Sequence, residues 1–232
     1  MAYLSQSQRE GDVERRGFRN LTVLGHDVEN AEINIALPFS VPVVINRADP
    51  PGADPRPFPS TVFLSPMDGA HLSLIPPASD VLQNVYPGRY LIQTSAGAPG
   101  EYVESIKLGE AEVYGRPVEI WDGSLPIRIT YKQGAPVVSG TVQAGEAATV
   151  VIISASESID SEAFRGVAAD RGGHFAFDNL RPGDYYVFAL DGNDLNFPMA
   201  SFRRAVLPRA EKIHLENGGG VILNLKIIPW PE

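Results

Sequence analysis

The chain has 232 residues, of which 44% are hydrophobic and 20% are charged, a composition typical of a globular protein and too apolar for a disordered one. Its net charge of −9 argues against a phosphate-binding surface, so nucleic acid is not expected as a partner. The chain has no cysteine, which excludes disulfides and Cys-ligated metal sites, and no apolar run of about eighteen residues, so no membrane span is expected.

The N-terminal residues 1–18 are polar and lack the apolar core of a signal peptide. Such a tail has little reason to order alone, so we expect it to pack against a neighbouring module. The sequence LGHDVENAEINI at Leu24–Ile35 is similar to LGEAEVYGRPVEI at Leu108–Ile120, which precedes the last predicted strand of a domain. Residues 19–36 are therefore interpreted as a possible closing strand of a preceding repeat, and the chain as an excerpt from a longer array.

The first half of the chain consists of short apolar runs separated by Gly and Pro, which predicts strands rather than helices. Seven runs are predicted as strands, at residues 33–46, 61–66, 70–76, 81–85, 90–95, 102–109 and 125–131. Residues 47–60 contain five prolines. They are expected to form an extended surface loop, with a binding loop as the alternative.

The second half follows a similar order, again with seven predicted strands, at residues 136–142, 148–155, 164–169, 174–180, 185–190, 211–216 and 221–228. Phe175 and Phe177 share one face of the fourth run, an alternation typical of a half-buried strand. The sequence Asp-Arg-Gly-Gly at 170–173 predicts a tight turn, because glycine adopts positive φ at little cost. Residues 198–207 are the one plausible helical turn.

One phrase occurs in both halves, as LQNVYPGRYLIQT at Leu82–Thr94 and DNLRPGDYYVFAL at Asp178–Leu190. Each copy has an Asn, an aliphatic residue and a Gly-x-Tyr step leading into an alternating apolar run. The repetition predicts two domains of about a hundred residues, close to the commonest domain size. Their predicted bounds are 19–133 and 134–232.

The Pro-Gly-x-Tyr step also predicts local structure. Pro182 pre-sets φ and Gly183 suits the next position, as in a type II turn. The tyrosine that follows, Tyr90 or Tyr185, is expected to bury its ring while its hydroxyl reaches a partner near the surface. Both tyrosines are predicted to be structural anchors, each costing about 3–5 kcal/mol if truncated; ligand contact is the alternative. The other predicted structural residues are Phe175, Phe177, Pro182 and Gly183.

The segment GVAADRGGHFAFDNLRPGDYYVFAL at 166–190 resembles the signature of the carboxypeptidase regulatory-like domain, an Ig-like sandwich also called transthyretin- or prealbumin-like. The matching residues are Asp170, Gly173, Phe175, Phe177, Leu180, Pro182, Gly183 and Tyr185. The resemblance extends over 134–228, more loosely over 37–131, and is greatest to tandem modules in large exported proteins of soil bacteria, Acidobacteria especially. It implies an all-β fold of two tandem seven-stranded Ig-like or prealbumin-like β-sandwiches with very little helix. The family name refers to an accessory domain, so it implies no peptidase activity.

The sequence YPGRYLIQTSAGAPGEY at Tyr86–Tyr102 also resembles pilin and adhesin modules of Gram-positive bacteria. Those modules form Lys–Asn isopeptide bonds beside a buried acid that follows the tyrosine strand. The matching positions hold Thr94 and Ala189. Since neither is an acid, the resemblance implies no such cross-link here.

No catalytic motif is found, so the chain is expected not to be an enzyme and to need no cofactor. The four histidines, at 26, 71, 174 and 214, are scattered, and His174 and His214 are expected to be exposed. The acidic and amide side chains of Asp191, Asn193 and Asp194 are a weak calcium candidate. A polar loop is the favoured interpretation, because the downstream Glu of a calcium loop is missing, and no metal is expected.

These observations favour a non-catalytic module of a larger exported protein, secreted, periplasmic or on the cell surface, with a structural, adhesion or assembly role. Its expected partners are neighbouring β-sandwich modules, and self-assembly could proceed by edge-strand addition. The alternative is a carbohydrate-binding accessory domain of a secreted enzyme or outer-membrane transporter. Its sugar platform would use Tyr86, Tyr114, Trp121 and Phe58, although the favoured interpretation is that Trp121 and Trp230 cap the sandwich ends.

Overall fold

A computed structural model of the chain describes residues 2–6, 15–19, 32–47, 61–67, 80–95, 97–143, 148–156, 164–192 and 204–229. The first half contributes ten strands to this part of the chain: β1 Ala2–Gln6, β2 Arg15–Arg19, β3 Phe39–Arg47, β4 Val62–Pro66, β5 Val81–Val85, β6 Gly88–Thr94, β7 Glu101–Leu108, β8 Ala111–Glu112, β9 Val118–Ile120 and β10 Ile127–Gln133.

The second half contributes seven more strands: β11 Val137–Gln143, β12 Thr149–Ser154, β13 Arg165–Ala168, β14 His174–Phe177, β15 Gly183–Leu190, β16 Glu211–Leu215 and β17 Gly220–Ile228. A short 3-10 helix, Leu207–Arg209, precedes β16. It begins at the last residue of the predicted helical turn, of which residues 198–203 lie outside the described part of the chain.

The all-β prediction is confirmed. Each of the seven strands predicted for the second half is present, and so are six of the seven predicted for the first half. The remaining prediction, at 70–76, lies outside the described residues, as do most of the proline-rich residues 47–60. The sequence did not predict the short strands β1, β2, β8 and β9, because none has enough alternating apolar positions to be recognised.

The chain divides into two compact units. The first consists of Met1–Asn46, Pro59–Ser95 and Ser105–Thr130, and the second of Arg47–Phe58, Ala96–Glu104 and Tyr131–Glu232. Short segments from the first half of the sequence therefore belong to the second unit. The domain bounds expected from the repeated phrase, 1–18, 19–133 and 134–232, stay a prediction.

In the second unit the strand order is β13-β12-β15-β17-β11-β14, and β16 pairs with the first part of β15, Gly183–Val187. β17 runs parallel to β11 and to the end of β15, whereas the remaining pairs are antiparallel. Strand β12 is buried on both faces: Val150 and Ile152 lie in the main core, while Val151 and Ile153 lie in a second cluster with Val206. This double burial explains its continuous apolar sequence.

The first half forms a five-stranded sheet of order β5-β3-β10-β7-β8 and a three-stranded antiparallel sheet of order β4-β6-β9. Inward-facing aliphatic side chains alternate along these strands and are buried, including Val41, Val43, Leu64, Ile92 and Ile129. This alternation is the period-two pattern from which the strands were predicted.

The N-terminal segment has structure within this chain. β1 and β2 pair antiparallel, and Arg16 forms a bridge to Ala36, with backbone hydrogen bonds of 3.1 and 2.8 Å. Gly17 allows the close approach, because a Cβ there would lie 2.3 Å from the carbonyl oxygen of Asn34. The described strands thus find backbone partners in their own chain, and the expectation that residues 1–18 pack against a neighbouring module stays a prediction.

Candidate functional site

The two copies of the repeated phrase place their tyrosines identically. Tyr90 is 4% exposed and donates its hydroxyl to the carbonyl of Tyr86 at 2.8 Å. Tyr185 is 8% exposed and donates to the carbonyl of Arg181 at 2.9 Å. Each acceptor lies four residues upstream of its tyrosine. The predicted burial and the predicted hydroxyl partner are confirmed; the anchoring role of the two rings stays a prediction.

The chain reversal in each phrase depends on asparagine. Asn84 and Asn179 have φ values of 55° and 54° and are the two non-glycine residues with positive φ in the described ranges. Asn tolerates this left-handed conformation better than most residues. Gly183 begins β15 with φ of 144°, far from the approximately +80° of a type II turn, so that prediction is wrong. The Asn shared by both phrases was the sequence signal for this feature.

The repeat extends to a neighbouring strand in each unit, of which the sequence predicted β16 but not β9. Gly88 pairs with Ile120 of β9, and Gly183 pairs with Leu215 of β16. Both members of the second pair lie 95 residues after those of the first, as Tyr185 lies after Tyr90. Each neighbouring strand is followed by a glycine at positive φ, Gly123 with 87° and Gly218 with 70°. Equal spacing and equal register identify the same substructure in both units.

The second unit contains a charged cluster around the buried Glu101, formed by Arg47, Gly97, Glu101, Tyr131 and the exposed Gln133 and called here the Glu101 cluster. The Arg47 guanidinium lies 3.5 Å from the Glu101 carboxylate, and their side chains are 14% and 6% exposed. Arg47 also stacks 4.6 Å from the centroid of the buried Tyr131 ring. The carboxylate accepts hydrogen bonds from the Ala98 N–H at 2.8 Å and from Gln133 Nε2 at 3.4 Å.

Packing leaves little space in the Glu101 cluster. A Cβ at Gly97 would lie 2.7 Å from Glu101 Cβ and 3.0 Å from Tyr131 Cδ1, so a larger residue at position 97 would require a shift. Burial of an ion pair is costly unless hydrogen bonds satisfy the remaining atoms, as they do for Glu101. The enclosed carboxylate is consequently suited to holding backbone in place rather than to meeting a substrate.

Asn179 connects the repeated phrase of the second unit to this cluster. Its side-chain nitrogen donates to the carbonyl of Ala98 at 3.0 Å and to that of Glu101 at 2.7 Å. A second asparagine, Asn217, lies on the turn that follows β16. With its carboxamide nitrogen as donor, it contacts the carbonyls of Gln133 at 3.2 Å and Gly134 at 2.8 Å. Two side chains thus hold four backbone carbonyls of segments that precede β11.

Two Asp–His pairs lie on the surface of the second unit. His174 Nδ1 is 3.2 Å from Asp170 Oδ1, and His214 Nδ1 is 2.8 Å from Asp184 Oδ1, with all four side chains more than half exposed. The predicted exposure of both histidines is confirmed, whereas His26 and His71 lie outside the described residues.

The two aspartates of these pairs hold a negative charge more readily than usual. The backbone N–H of His174 is the main cause that lowers the pKa of Asp170. A side-chain hydrogen bond from His214 is the main cause that lowers the pKa of Asp184. The turn predicted at 170–173 is confirmed by the hydrogen bond from Gly173 N to Asp170 O, at 2.8 Å.

The calcium candidate is not assembled by the described residues. Asp191 is exposed, and Asn193 and Asp194 lie outside the described ranges. Within those ranges no three His, Cys, Asp or Glu side chains gather as metal ligands. The weak calcium hypothesis at this loop stays a prediction.

The residues of the predicted sugar platform differ in their exposure to solvent. Tyr86 is buried, with the Arg16 guanidinium 5.2 Å from its ring centroid, so it cannot offer an open face. Trp121 is 55% exposed, which favours a surface role over a buried cap. Tyr114 is partly exposed, and both Phe58 and Trp230 lie outside the described residues. Among the described members of this set, Trp121 is therefore the most exposed.

An arginine links the two edge strands β13 and β14 of the second unit. Arg165, on the edge strand β13, donates to the carbonyl of Asp178 at 2.6 Å and lies 3.6 Å from its carboxylate. This contact ties β13 to the end of the other edge strand, β14. Among the described strands, β16 pairs with β15 alone, so its outer edge is one that could receive another strand.

Among the described residues, no helix is long and apolar enough to cross a membrane. No protein-family model matches the chain, and no curated protein matches it in sequence. The carboxypeptidase regulatory-like resemblance accordingly stays a prediction.

Several solved structures match the chain at low similarity. The Bacillus anthracis TIE protein is 10% identical, with 97% of this chain and 42% of that protein covered and a TM-score of 0.28. The minor pilin GBS52 of Streptococcus agalactiae is 14% identical, with 83% and 98% covered and a TM-score of 0.28. The major pilin subunit BcpA of Bacillus cereus is 10% identical, with 82% and 99% covered and a TM-score of 0.25.

This chain spans less than half the length of the TIE protein. Similarities of this size assign neither a family nor a function. The β-sandwich architecture is evident from the strands of the chain itself.

Proposed function

We propose that the chain is a non-catalytic structural module of a larger exported protein, serving adhesion or assembly at the cell surface. The observation that carries this proposal is the Glu101 cluster. Glu101 is the buried charged residue of the described part of the chain, and its carboxylate holds backbone and a stacked arginine in place. The carboxylate and the guanidinium, which could otherwise take part in catalysis, thus stabilise the fold through contacts within the chain.

These ties join segments that lie far apart in the sequence. The segment Gly97–Glu101 enters the second unit from the first half of the sequence and is held by Asn179, 78 residues after Glu101. We expect a force that separates these segments to break this long-range contact first. Closure of the β13 edge by Arg165 also suits a module that stays folded beside other β-sheets.

Single-molecule stretching of the chain by its two ends tests the mechanical role. Two all-or-none unfolding events are expected, one for each unit, and a fully extended length of roughly 800 Å. Glu101→Gln should lower the force of one event, because it removes one partner of a buried pair. Glu110→Gln, at an exposed Glu paired with Arg128, is the matched control and should change neither event. Extension without a resolved force peak would rule out a load-bearing module.

Carbohydrate binding is a second candidate, favoured by the exposure of Trp121. Its turn is held by hydrogen bonds of 2.9 Å, from Ser124 N to Trp121 O and from Trp121 N to Ser124 Oγ, so the ring has a firm base. A glycan array probed with the wild type and with Trp121→Ser separates the two functions. Binding that disappears in the variant would establish the second candidate, and silence with both proteins would remove it.

The proposal extends to location and partners. An exported module of this kind would meet neighbouring β-sandwich modules, and the outer edge of β16 offers them a strand. Fractionation of the source cells with an antibody to the chain tests the location. Recovery from the cytosol alone would contradict export while leaving the mechanical test unaffected.

A further inference from the structure

The turn that follows β16 contains the one Asn–Gly dipeptide of the sequence, Asn217–Gly218. An asparagine that precedes glycine is especially prone to spontaneous deamidation, because glycine has no side chain to hinder attack by its backbone nitrogen on the asparagine carboxamide. Both residues are exposed, so water can reach them. Sequence and exposure alone would therefore mark this turn as a reactive site.

The deamidation reaction requires two groups to be free to move. The backbone nitrogen of Gly218 loses its proton to a base in solution and forms a bond to Cγ of Asn217. The Cγ–Nδ2 bond breaks, and the nitrogen leaves as ammonia with a proton from water. Water then opens the succinimide at either of its carbonyls, which gives aspartate or isoaspartate. Water is the only reactant besides the chain, and no oxidant, reductant or cofactor takes part.

The fold of the second unit holds both reacting groups. The N–H of Gly218 donates to the carbonyl of Gly134 at 2.6 Å. The carboxamide nitrogen of Asn217 donates to the carbonyls of Gln133 at 3.2 Å and of Gly134 at 2.8 Å. Three hydrogen bonds must therefore be lost before the backbone nitrogen can turn toward Cγ, and an N–H that donates to a carbonyl gives up its proton to solvent less readily.

The matching turn of the first unit has the same shape without these contacts. It contains Asp122–Gly123, which lies 95 residues before Asn217–Gly218. Each turn is closed by a backbone hydrogen bond from its fourth residue to its first, of 2.9 Å in the first unit and 3.0 Å in the second. The glycines have φ values of 87° and 70°. Within the described part of the chain, neither the Asp122 carboxylate nor the Gly123 N–H has a hydrogen-bonding partner of the kind found in the second unit.

We infer that Asn217–Gly218 is a deamidation site that the folded second unit keeps closed and that opens when this unit unfolds. The product carboxylate has no N–H to donate. On refolding it would place a negative charge against two carbonyl oxygens, so the contacts that Asn217 provides would be lost. Unfolding is thereby recorded as a covalent change. This chemistry goes beyond the proposed function and does not depend on it, since any event that unfolds the unit has the same result.

Asp122→Asn gives each unit an Asn–Gly turn and so places the closed site and its open counterpart in one molecule. The full chain is kept in mildly alkaline buffer, either folded or in guanidinium chloride, and deamidation at positions 122 and 217 is followed by mass spectrometry of their peptides. In the folded chain, position 122 should react at least about tenfold faster than position 217, because only the carboxamide of Asn217 must first lose hydrogen bonds. In guanidinium chloride this difference should disappear.

The wild type supplies a second measurement that needs no substitution. Its Asn217 should deamidate at least about tenfold more slowly in the folded chain than in guanidinium chloride, because the same hydrogen bonds must be lost first. Circular dichroism identifies the folded samples. Equal rates at positions 122 and 217 in the folded variant, or equal rates at Asn217 in the folded and unfolded wild type, would overturn the inferred protection.

The consequence of the reaction is tested with its aspartate product. Asn217→Asp should unfold at a lower concentration of guanidinium chloride than the wild type, because its carboxylate cannot donate to the carbonyls of Gln133 and Gly134. Asp122→Asn is the matched control and should leave the unfolding midpoint unchanged, since Asp122 is exposed. An Asn217→Asp chain as stable as the wild type would show that deamidation leaves the fold unaltered, and would overturn the inferred loss of contacts.

Discussion

Asn84 and Asn179 lie 95 residues apart and adopt the same left-handed backbone conformation, yet Asn179 holds two carbonyls whereas Asn84 faces solvent. Asparagine therefore contributes in two separate ways, through its backbone conformation and through its side-chain carboxamide. The backbone conformation shapes the bend in both units, and the carboxamide adds a long-range tie in the second.

Replacing each asparagine by glycine distinguishes these properties. Glycine adopts positive φ without strain, so the bend should survive and the carboxamide alone is lost. Asn179→Gly should lower the free energy of unfolding by about 1–3 kcal/mol, the sum of two hydrogen bonds, whereas Asn84→Gly should change it by less than about 0.5 kcal/mol. Urea unfolding measures both. Equal effects of the two variants would show that the contacts of Asn179 contribute nothing.

The tyrosine anchors are tested by removing first the hydroxyl and then the ring. Tyr185→Phe should cost about 0.5–1.5 kcal/mol, because the hydrogen bond to the Arg181 carbonyl is lost, and Tyr185→Ala should cost about 3–5 kcal/mol. Tyr186→Phe is the control, since its side chain is partly exposed on the opposite face of β15. Chemical denaturation gives the three values. A Tyr185→Ala protein as stable as the control would contradict the anchoring role.

Acid sensitivity follows from the lowered pKa of Asp170. Its pKa in the folded protein lies below the usual 3.8, so its ionised form stabilises the fold above that pH, and this stabilisation is lost as pH falls through the folded value. The melting temperature of the wild type should exceed that of Asp170→Asn near neutrality, and the difference should shrink as pH falls below about 4. A difference that grows in acid would show the opposite sign of linkage.

Calcium is expected not to bind. The loop that begins at Asp191 lacks the downstream bidentate Glu of a calcium loop, and Asp191 itself is exposed. Isothermal titration with calcium should give no heat beyond dilution. Saturable heat that disappears in Asp191→Ala would instead establish a site at Asp191, Asn193 and Asp194.

The intact mass of the chain should equal that of its sequence. By the resemblance to pilin modules, Thr94 and Ala189 stand where those modules have the acid that promotes a Lys–Asn cross-link, and Ala189 is fully buried. Mass spectrometry of the folded, purified chain checks this expectation. A mass lower by one ammonia for each bond would show that cross-links form with another acid.

Prediction from sequence succeeded where information is local. The strands of the second half follow from alternation and glycine punctuation, and the burial of Phe175 and Phe177 follows from their period of two. The short strand β9 was missed, because Val118–Ile120 has too few residues to show a period. The predicted type II turn failed, since the repeated Asn rather than Gly183 takes the left-handed conformation.

The sequence by itself determined the all-β class, the repeat and the burial of both tyrosines, because propensity, alternation and turn chemistry act over a few neighbouring residues. The tertiary structure alone decided that Arg47, Glu101 and Tyr131 meet in one buried cluster and that Asn179 reaches back to Ala98. These contacts join residues tens of positions apart, and their partners are selected by packing and by satisfaction of buried polar groups, which no local pattern records.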